Sequence, residues 1–458
     1  MNRSGLIQTI DSSSDLTLAL MARVGIDGEQ LRLGKTGIAR ITQRRKEFLA
    51  FVEGNLDRHL YGITTRHHIG AKTVLEAADR DEYASRLPTI PATVGDQLPE
   101  RVTRMIVIAR LADVLNGTAC LRPETASRIV EMLDSELPPV PARGHGEPGD
   151  IIALSHLFRA EFEGTLELGE GMALVNGSPV AAAVLCDTAL AGRRRLSRVG
   201  YTLALAALAT GAPAAHYSKH LEEAWNDRHQ TAALMRLRVL LDGRDDQQRA
   251  YQAPVSFRSA PRLFGWAIRC QEMIEDCASV ALSASSNNPI FVGPDAEPPL
   301  GEIVSNGGYH NALASPSIDA AARSWADLCQ IVTAQVNQLV EDPNGLTALE
   351  PEPQINLFYM TSAGWAEEAR AAATATLTSI AATGQTDTGT LDVLAWRKVR
   401  RRGRHWTRTS RCSRSWRRIR SRARVARRRR RWQPSTTASL SASRLAPRRW
   451  STGRISRL

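Results

Sequence analysis

A chain of 458 residues can bury a large core and hold two or three domains, and 5% aromatic content beside abundant Ala and Leu favours helix over sheet. The formal charge of +12 misleads, because residues 397–458 hold 24 of the 59 basic residues and none of the 47 acidic ones; the remainder, with 35 basic against 47 acidic, is an ordinary acidic soluble protein at −12. The six cysteines are scattered without paired or CxxC spacing, which excludes a disulfide framework and a zinc site and points to reduced thiols in a cytosol.

Met1–Leu20 carries Asp11 and Asp15 where a secretory signal would need an apolar core. Up to about residue 60 the pattern reads as two short helices, with Leu31, Ile38, Ile41 and Phe48 loosely at helical spacing. Tyr61–Gly70 then follows, polar, glycine-bounded and periodic as neither helix nor strand. Taken alone, Tyr61 before a glycine is a packing or turn residue. His67 and His68 read either as a proton-handling or carboxylate-binding pocket or as a basic surface turn. From Pro99 to Leu133 the chain predicts helix, turn, helix. Met105, Ile106, Ala109 and Val114 make an apolar face, Asn116-Gly117 a stop, and Arg122-Pro123-Glu124 a restart.

The centre of the sequence is residues 144–156. Gly144, Gly146 and Gly149, with Pro148 between two of them, cannot continue a helix or a ladder and describe a tight loop. Asp150 is placed to cap the helix that follows it. Further on, Glu170–Gly177 ends in the turn pair Asn176-Gly177, and Ser178-Pro179 caps and opens a long alanine-rich helix. That run, Val180–Pro213, is interrupted by Asp187 and Arg193-Arg194-Arg195 and reads as a core helix instead of a membrane span. From His310 to Gly384 the pattern is long helix, loop, long helix, as a bundle requires.

Residues 144–156 resemble the loop of the aromatic amino acid lyases, the histidine and phenylalanine ammonia-lyase family. That family reads Gly-Ser-Val-Gly-Ala-Ser-Gly-Asp-Leu-Ala-Pro-Leu-(Ala/Ser)-His, and its Ala-Ser-Gly cyclises into the electrophile methylidene-imidazolone (MIO). Gly146, Gly149, Asp150, Leu154, Ser155 and His156 match, but Glu147-Pro148-Gly149 stands at the triad. Proline has neither the hydroxyl that must be lost nor an amide hydrogen, so the expectation is that no MIO forms and that the chain has no cofactor. Five further stretches match in family order. Tyr61-Gly62…Thr65 is similar to Tyr-Gly-Val-Asn-Thr-Gly-Phe-Gly, which implies that Tyr61 is the base for the β-proton. Glu170–Gly177 is similar to Glu-Gly-Leu-Ala-Leu-(Leu/Ile)-Asn-Gly, implying that Asn176 contacts the amine. Gln252–Arg258 resembles Gln-Asp-(Ala/Pro)-Tyr-Ser-Leu-Arg, implying that Arg258 pairs with the substrate carboxylate, a bidentate task for a guanidinium. Residues 283–289 and 305–310 resemble Asn-Ser-Ala-Thr-Asp-Asn-Pro and Ser-Gly-Gly-Asn-Phe-His. Thr89-Ile90, Val255 and Thr386 replace the family's Ser-His, second tyrosine and Gln-Glu glutamate, while Arg110 and Arg122 belong to structure.

The resemblance covers about Tyr61 to Asp387 and implies a mainly α, ammonia-lyase-like fold and a homotetramer whose sites draw on several subunits. The expected organisation is an N-terminal domain, 1–178, with the modified loop, a central helical bundle, 179–396, and an aberrant tail, 397–458. The tail lacks helical or strand period; its Arg, Ser and Trp composition matches GC-rich DNA read out of frame better than a nucleic-acid arm. The function implied is C–N elimination from an amino acid or a betaine to an acrylate without MIO. A tyrosinate base would then need a pKa lowered from about 10. The alternative is a catalytically inactive relative. No membrane association, nucleic-acid partner or metal is expected, and the location implied is the cytoplasm.

Overall fold

The computed structural model describes residues 5–67, 70–242, 251–341, 356–380 and 386–400. Long helices dominate, and the strands are short pairs. Ile7–Ile10 (β1) pairs in parallel with Gln30–Leu33 (β2). Leu31 therefore lies in a strand and not in a helix with Ile38. Gln-Leu-Arg-Leu alternates with period two, and the inward side chain of Leu31 is buried. The first long helix, α1 (Lys35–Glu53), follows at once.

In α2 (Glu100–Leu115) every residue from Val102 onward is buried, so the single apolar face expected from the sequence is packed all round. Its cations must then be satisfied internally. Arg104 donates to the carbonyls of Val24 (3.1 Å) and Leu133 (2.7 Å), and Arg110 pairs with Asp113 one turn on. Asn116 and Gly117, the latter at φ +76°, end the helix, and α3 (Pro123–Glu131) restarts with proline in its first turn, as read.

After α4 (Ile151–Phe162) and α5 (Glu170–Val175) comes α6 (Pro179–Thr210), the axis of the molecule. It packs against α2 on one side and against α7 (Arg228–Leu241), α8 (Ala260–Ser283) and α9 (Ala314–Glu341) on the other, while α10 (Asn356–Ala371) lies on α9. Part of Glu170–Thr210 is apolar enough to cross a membrane, yet that window is wholly buried in the fold, in keeping with a core helix. Two antiparallel ribbons complete the described elements: Ile290–Val292 (β3) with Glu302–Val304 (β4), and Ser379–Ile380 (β5) with Thr388–Gly389 (β6).

Residues 392–400 are helical, so the expected break at Arg397 falls inside a helix. The reason is local: Val393, Trp396 and Val399 recur at helical spacing and are buried. The Trp396 indole donates to Asp187 of α6 (2.8 Å), and Arg101 of α2 closes on the same carboxylate (2.7 Å). The arginine-rich sequence from residue 401 lies outside the described residues. The five cysteines among the described residues are free, and burial pushes the Cys120 and Cys270 thiols up to about 12, which keeps them protonated.

Glu170 is fully buried, and Arg122 holds it through its backbone N–H (2.9 Å), Nε (3.1 Å) and Nη2 (2.9 Å). Burial works to raise the carboxyl, but the Arg122 bonds and the Glu167 amide outweigh it and keep the pKa below the usual range. Arg122→Ala leaves that charge stranded and should cost about 3–5 kcal/mol at neutral pH in denaturant titrations. A depressed carboxylate stabilises above its ordinary pKa and ceases to as pH falls through the lowered value, so the difference from wild type should shrink in acid. A loss under about 1 kcal/mol at neutral pH would show that Glu170 does not depend on Arg122.

Candidate functional site

One cavity of about 850 Å³ gathers Tyr61, His67, Pro148, Asn176, Tyr309 and Thr386 with their neighbours. Four residues named from the sequence, Tyr61, His67, Pro148 and Asn176, thus meet in one place. Glu147 and Gly149 flank Pro148. His68 lies outside the described residues. Arg258 is elsewhere: it is exposed at the end of the short helix Val255–Arg258, close enough to His216 to help burial lower that imidazole's pKa.

The loop wall is built by two carboxylates whose roles differ from those expected. Gly149 sits at φ +68°, and a Cβ there would come 3.1 Å from the Gly177 carbonyl and 3.3 Å from Cβ of Tyr309. This turn sends Asp150 away from its own helix. Its backbone N–H donates to the Gly177 carbonyl (2.9 Å), and its carboxyl accepts from the amides of Val180 (2.7 Å) and Ala181 (3.4 Å). Asp150 therefore caps α6, a task the sequence assigned to Ser178, which makes no side-chain cap bond. Burial pushes the Asp150 carboxyl well above its ordinary range, and the buried Asp392 adds to this against the two amides. Glu147 takes over the start of α4, accepting from the amides of Gly146 (2.8 Å) and Ile152 (3.3 Å). His145 lies 3.3 Å from the same carboxylate and bonds the Pro141 carbonyl (2.6 Å) through its other nitrogen. Burial opposes a charged ring there, but Glu147 and Pro141 prevail and raise its pKa.

A clasp closes the loop from the other side. The Ser379 hydroxyl donates to the Gly146 carbonyl (2.5 Å), and the Thr390 amide donates to that of Glu147 (3.2 Å). Gly389 packs so closely on the Gly146 carbonyl that a side chain would displace it.

The opposite segment carries Tyr61. Gly62 at φ +71° meets Met172 of α5, where a Cβ would come 2.6 Å from its Cγ. This contact explains the glycine after the tyrosine. The His67 ring is not a surface basic turn: Nε2–H donates to the Pro88 carbonyl (2.5 Å), leaving Nδ1 to accept from the Tyr83 hydroxyl. Tyr83 was missed in the sequence, where nothing in Asp-Glu-Tyr signals a partner 16 residues away. Burial raises its pKa.

Asn176 is fixed from beneath by Arg110, which donates to its carbonyl (2.7 Å). Arg110 pairs with Asp113, and Asp113 accepts from the amides of Ser286 (2.6 Å) and Asn287 (2.9 Å). The buried pair thereby holds the turn leading to Asn288, another cavity residue, and Arg110 is structural as read. Thr89 and Ile90 line the cavity at the place of the family's Ser-His, the Thr89 hydroxyl being bonded to that of Ser155. Tyr309 and His59 complete the polar wall and were not singled out from the sequence. The described lining residues include no Asp, Glu, Lys or Arg, and no group of three metal-ligating side chains occurs among the described residues.

The family described as "Aromatic amino acid lyase" matches residues 16–164 and 159–408. The "Probable histidine ammonia-lyase" of Thermoplasma acidophilum is 24% identical over 370 residues, covering 74% of this chain and 73% of that protein. The histidine ammonia-lyase structure from Trypanosoma cruzi superposes with a TM-score of 0.76 at 19% identity, over 94% of this chain and 86% of that one. Ergothionase from Treponema denticola, an ergothioneine-degrading enzyme, gives a TM-score of 0.74 at 15% identity over 89% and 90%.

Two measurements test the loop's construction. Asp150→Ala should cost about 2 kcal/mol by denaturant titration and Asp150→Asn less than half of that, because the amide oxygen still accepts from α6. Equal losses would show that the acceptor is not what matters. His145, with its raised pKa, stabilises fully below its ordinary value of 6.5 and loses this contribution as pH rises through the raised one. The melting-temperature gap between wild type and His145→Gln should therefore narrow with rising pH; a gap that widens refutes the His145–Glu147 pairing.

Proposed function

The chain belongs to the aromatic amino acid lyase family, and within it we propose a C–N lyase that works without MIO on an amino-acid-type substrate carrying its own leaving group. The observation that carries this reading is Pro148 in the cavity wall that also holds Tyr61 and Asn176. Glu147-Pro148-Gly149 does not fit the cyclised group. Pro148 has no hydroxyl to eliminate and no amide hydrogen, and the carboxylate and carbonyl of Glu147 are committed to α4 and to Thr390.

Ammonia expelled from a neutral amine is a poor leaving group, and MIO is the family's answer to that problem. A quaternary ammonium needs no such activation. Tyr61, as phenolate, takes the β-proton; the C–H pair becomes the Cα–Cβ double bond; the C–N pair departs with a neutral amine. The products are an acrylate, the free amine and a protonated Tyr61. Asn176 orients the departing group. That ergothionase shares this fold supports a betaine substrate, and the histidine ammonia-lyase relatives support a nitrogen-bearing ring.

Arg258 meets the substrate carboxylate from a second copy, since it stands outside the cavity of its own chain. The working form is then a homotetramer, placed in the cytoplasm. The full chain should release trimethylamine from histidine betaine or its 2-thiol derivative and form no urocanate or cinnamate from histidine or phenylalanine. Tyr61→Phe should abolish turnover with little change in binding, and Arg258→Ala should weaken binding by tenfold or more, about 1.4 kcal/mol. Co-expressed Tyr61→Phe and Arg258→Ala chains should regain part of the activity, because some mixed sites hold both intact residues. No elimination from any quaternary amine would favour the inactive relative; activity surviving Tyr61→Phe would remove Tyr61 as the base, and failed complementation would place Arg258 and Tyr61 in one chain.

A further inference from the structure

The cavity must receive a cation on the reading above, yet none of its described lining residues is acidic. The carboxylates around the loop do not line the cavity. Glu147 accepts from the Ile152 amide at the start of α4 and faces His145, Asp150 caps α6, and Asp392 accepts from the Ser315 hydroxyl (2.6 Å) through one oxygen, its Oδ2 being buried without a partner. What the walls offer a cation instead is the aromatic side chains of Tyr61 and Tyr309. Tyr61 is assigned to the β-proton. Tyr309 comes from a separate segment, seated against Gly149 at a point where a Cβ would lie 3.3 Å from its own Cβ, so it stands beside Pro148.

We propose that Tyr309 is a specificity-determining residue, its ring face receiving the quaternary ammonium of the substrate where none of the described lining residues is a carboxylate. This inference rests on the elimination proposed above. A trimethylammonium has no N–H to donate and a low charge density, so an ion pair or hydrogen bond serves it poorly, whereas an aromatic quadrupole attracts it at small desolvation cost. The Asn176, Asn288 and Asn306 carboxamides give the same pocket polar but uncharged edges, leaving the carboxylate end of the substrate to Arg258 of a second copy. The selectivity that results is against primary amines. A primary ammonium loses hydration of its three hydrogens against the apolar ring of Pro148 beside Tyr309, whereas a trimethylammonium has no such hydrogens to desolvate.

The test separates binding from turnover by using the Tyr61→Phe full chain, which keeps an aromatic face but no base. Calorimetry compares histidine betaine with the isosteric acid bearing a tert-butyl group in place of the trimethylammonium. The betaine should bind about tenfold tighter, as a desolvated cation–π contact allows. Tyr309→Phe should keep that ratio. Tyr309→Leu should bring it close to one while leaving the tert-butyl acid's affinity unchanged, which also shows that the variant is folded. A ratio that survives Tyr309→Leu, or one already near one before substitution, overturns the proposal. Absence of trimethylamine release from the chain with Tyr61 intact, with the ratio preserved, would instead refute the elimination and leave this binding role standing.

Discussion

The capping of α6 by Asp150 is the constraint on which the rest of this site depends. A helix of this length leaves several amide donors unsatisfied at its start, and here that start is buried, so water cannot serve them. Asp150 supplies the acceptor from a loop 30 residues earlier in the chain. Because the same residue's amide is tied to the Gly177 carbonyl, the cap also fixes the distance between the Pro148 loop and the Asn176 turn. Gly149 must be left-handed for this, and its freedom from a side chain lets Gly177 and Tyr309 come into contact. Thus Pro148, Asn176 and Tyr309 owe their common cavity to one buried carboxyl.

Around that cap, charge is held under the walls and kept out of the space between them. Arg110 and Asp113 are both buried and spend their hydrogen bonds on the Asn176 carbonyl and the Ser286–Asn287 amides. Arg122 and Glu170 do the same for α5, and His145 with Glu147 for α4. Removing either partner of such a pair is costly even where the pair itself contributes little net stability, because an isolated charge would remain in a low dielectric. The pairs fix the positions of uncharged groups, and none of the described residues lining the cavity is Asp, Glu, Lys or Arg.

How far this was legible in the sequence follows from the range of each signal. Helix starts and stops are written locally, and Asn116-Gly117, Pro123 and the alanine-rich run after Pro179 were read correctly. Cavity residues were found where a short motif repeated a familiar order, as with Tyr61, Pro148 and Asn176. What failed was partnership across the chain. Asp150 has the type and position of a cap for its own helix, and only the backbone turn at Gly149 redirects it to α6. The Tyr83–His67 bond and the clasp of Ser379 and Thr390 on the loop join residues whose types announce nothing. Leu31 was misassigned because four residues of alternation are too few to outweigh a helical pattern beside them. At the far end, Arg397 looked like the start of an aperiodic stretch, but the buried spacing of Val393, Trp396 and Val399 carries the helix across it.

The exchange of Ala-Ser for Glu-Pro is best understood as a change in where the driving force resides. An electrophile grown from the loop requires backbone that can cyclise, so its amide and hydroxyl must be available. In this chain the same backbone is already spent: the Gly146 and Glu147 carbonyls accept from Ser379 and Thr390, and the Glu147 carboxylate closes on the first turn of α4. Proline adds a fixed φ and removes a donor that would otherwise need a partner. With neither a hydroxyl nor an amide hydrogen at Pro148, and no charged side chain among the described lining residues, the elimination proposed above would draw its electrostatic push from the substrate's own nitrogen and from the proposed Arg258 of a second copy.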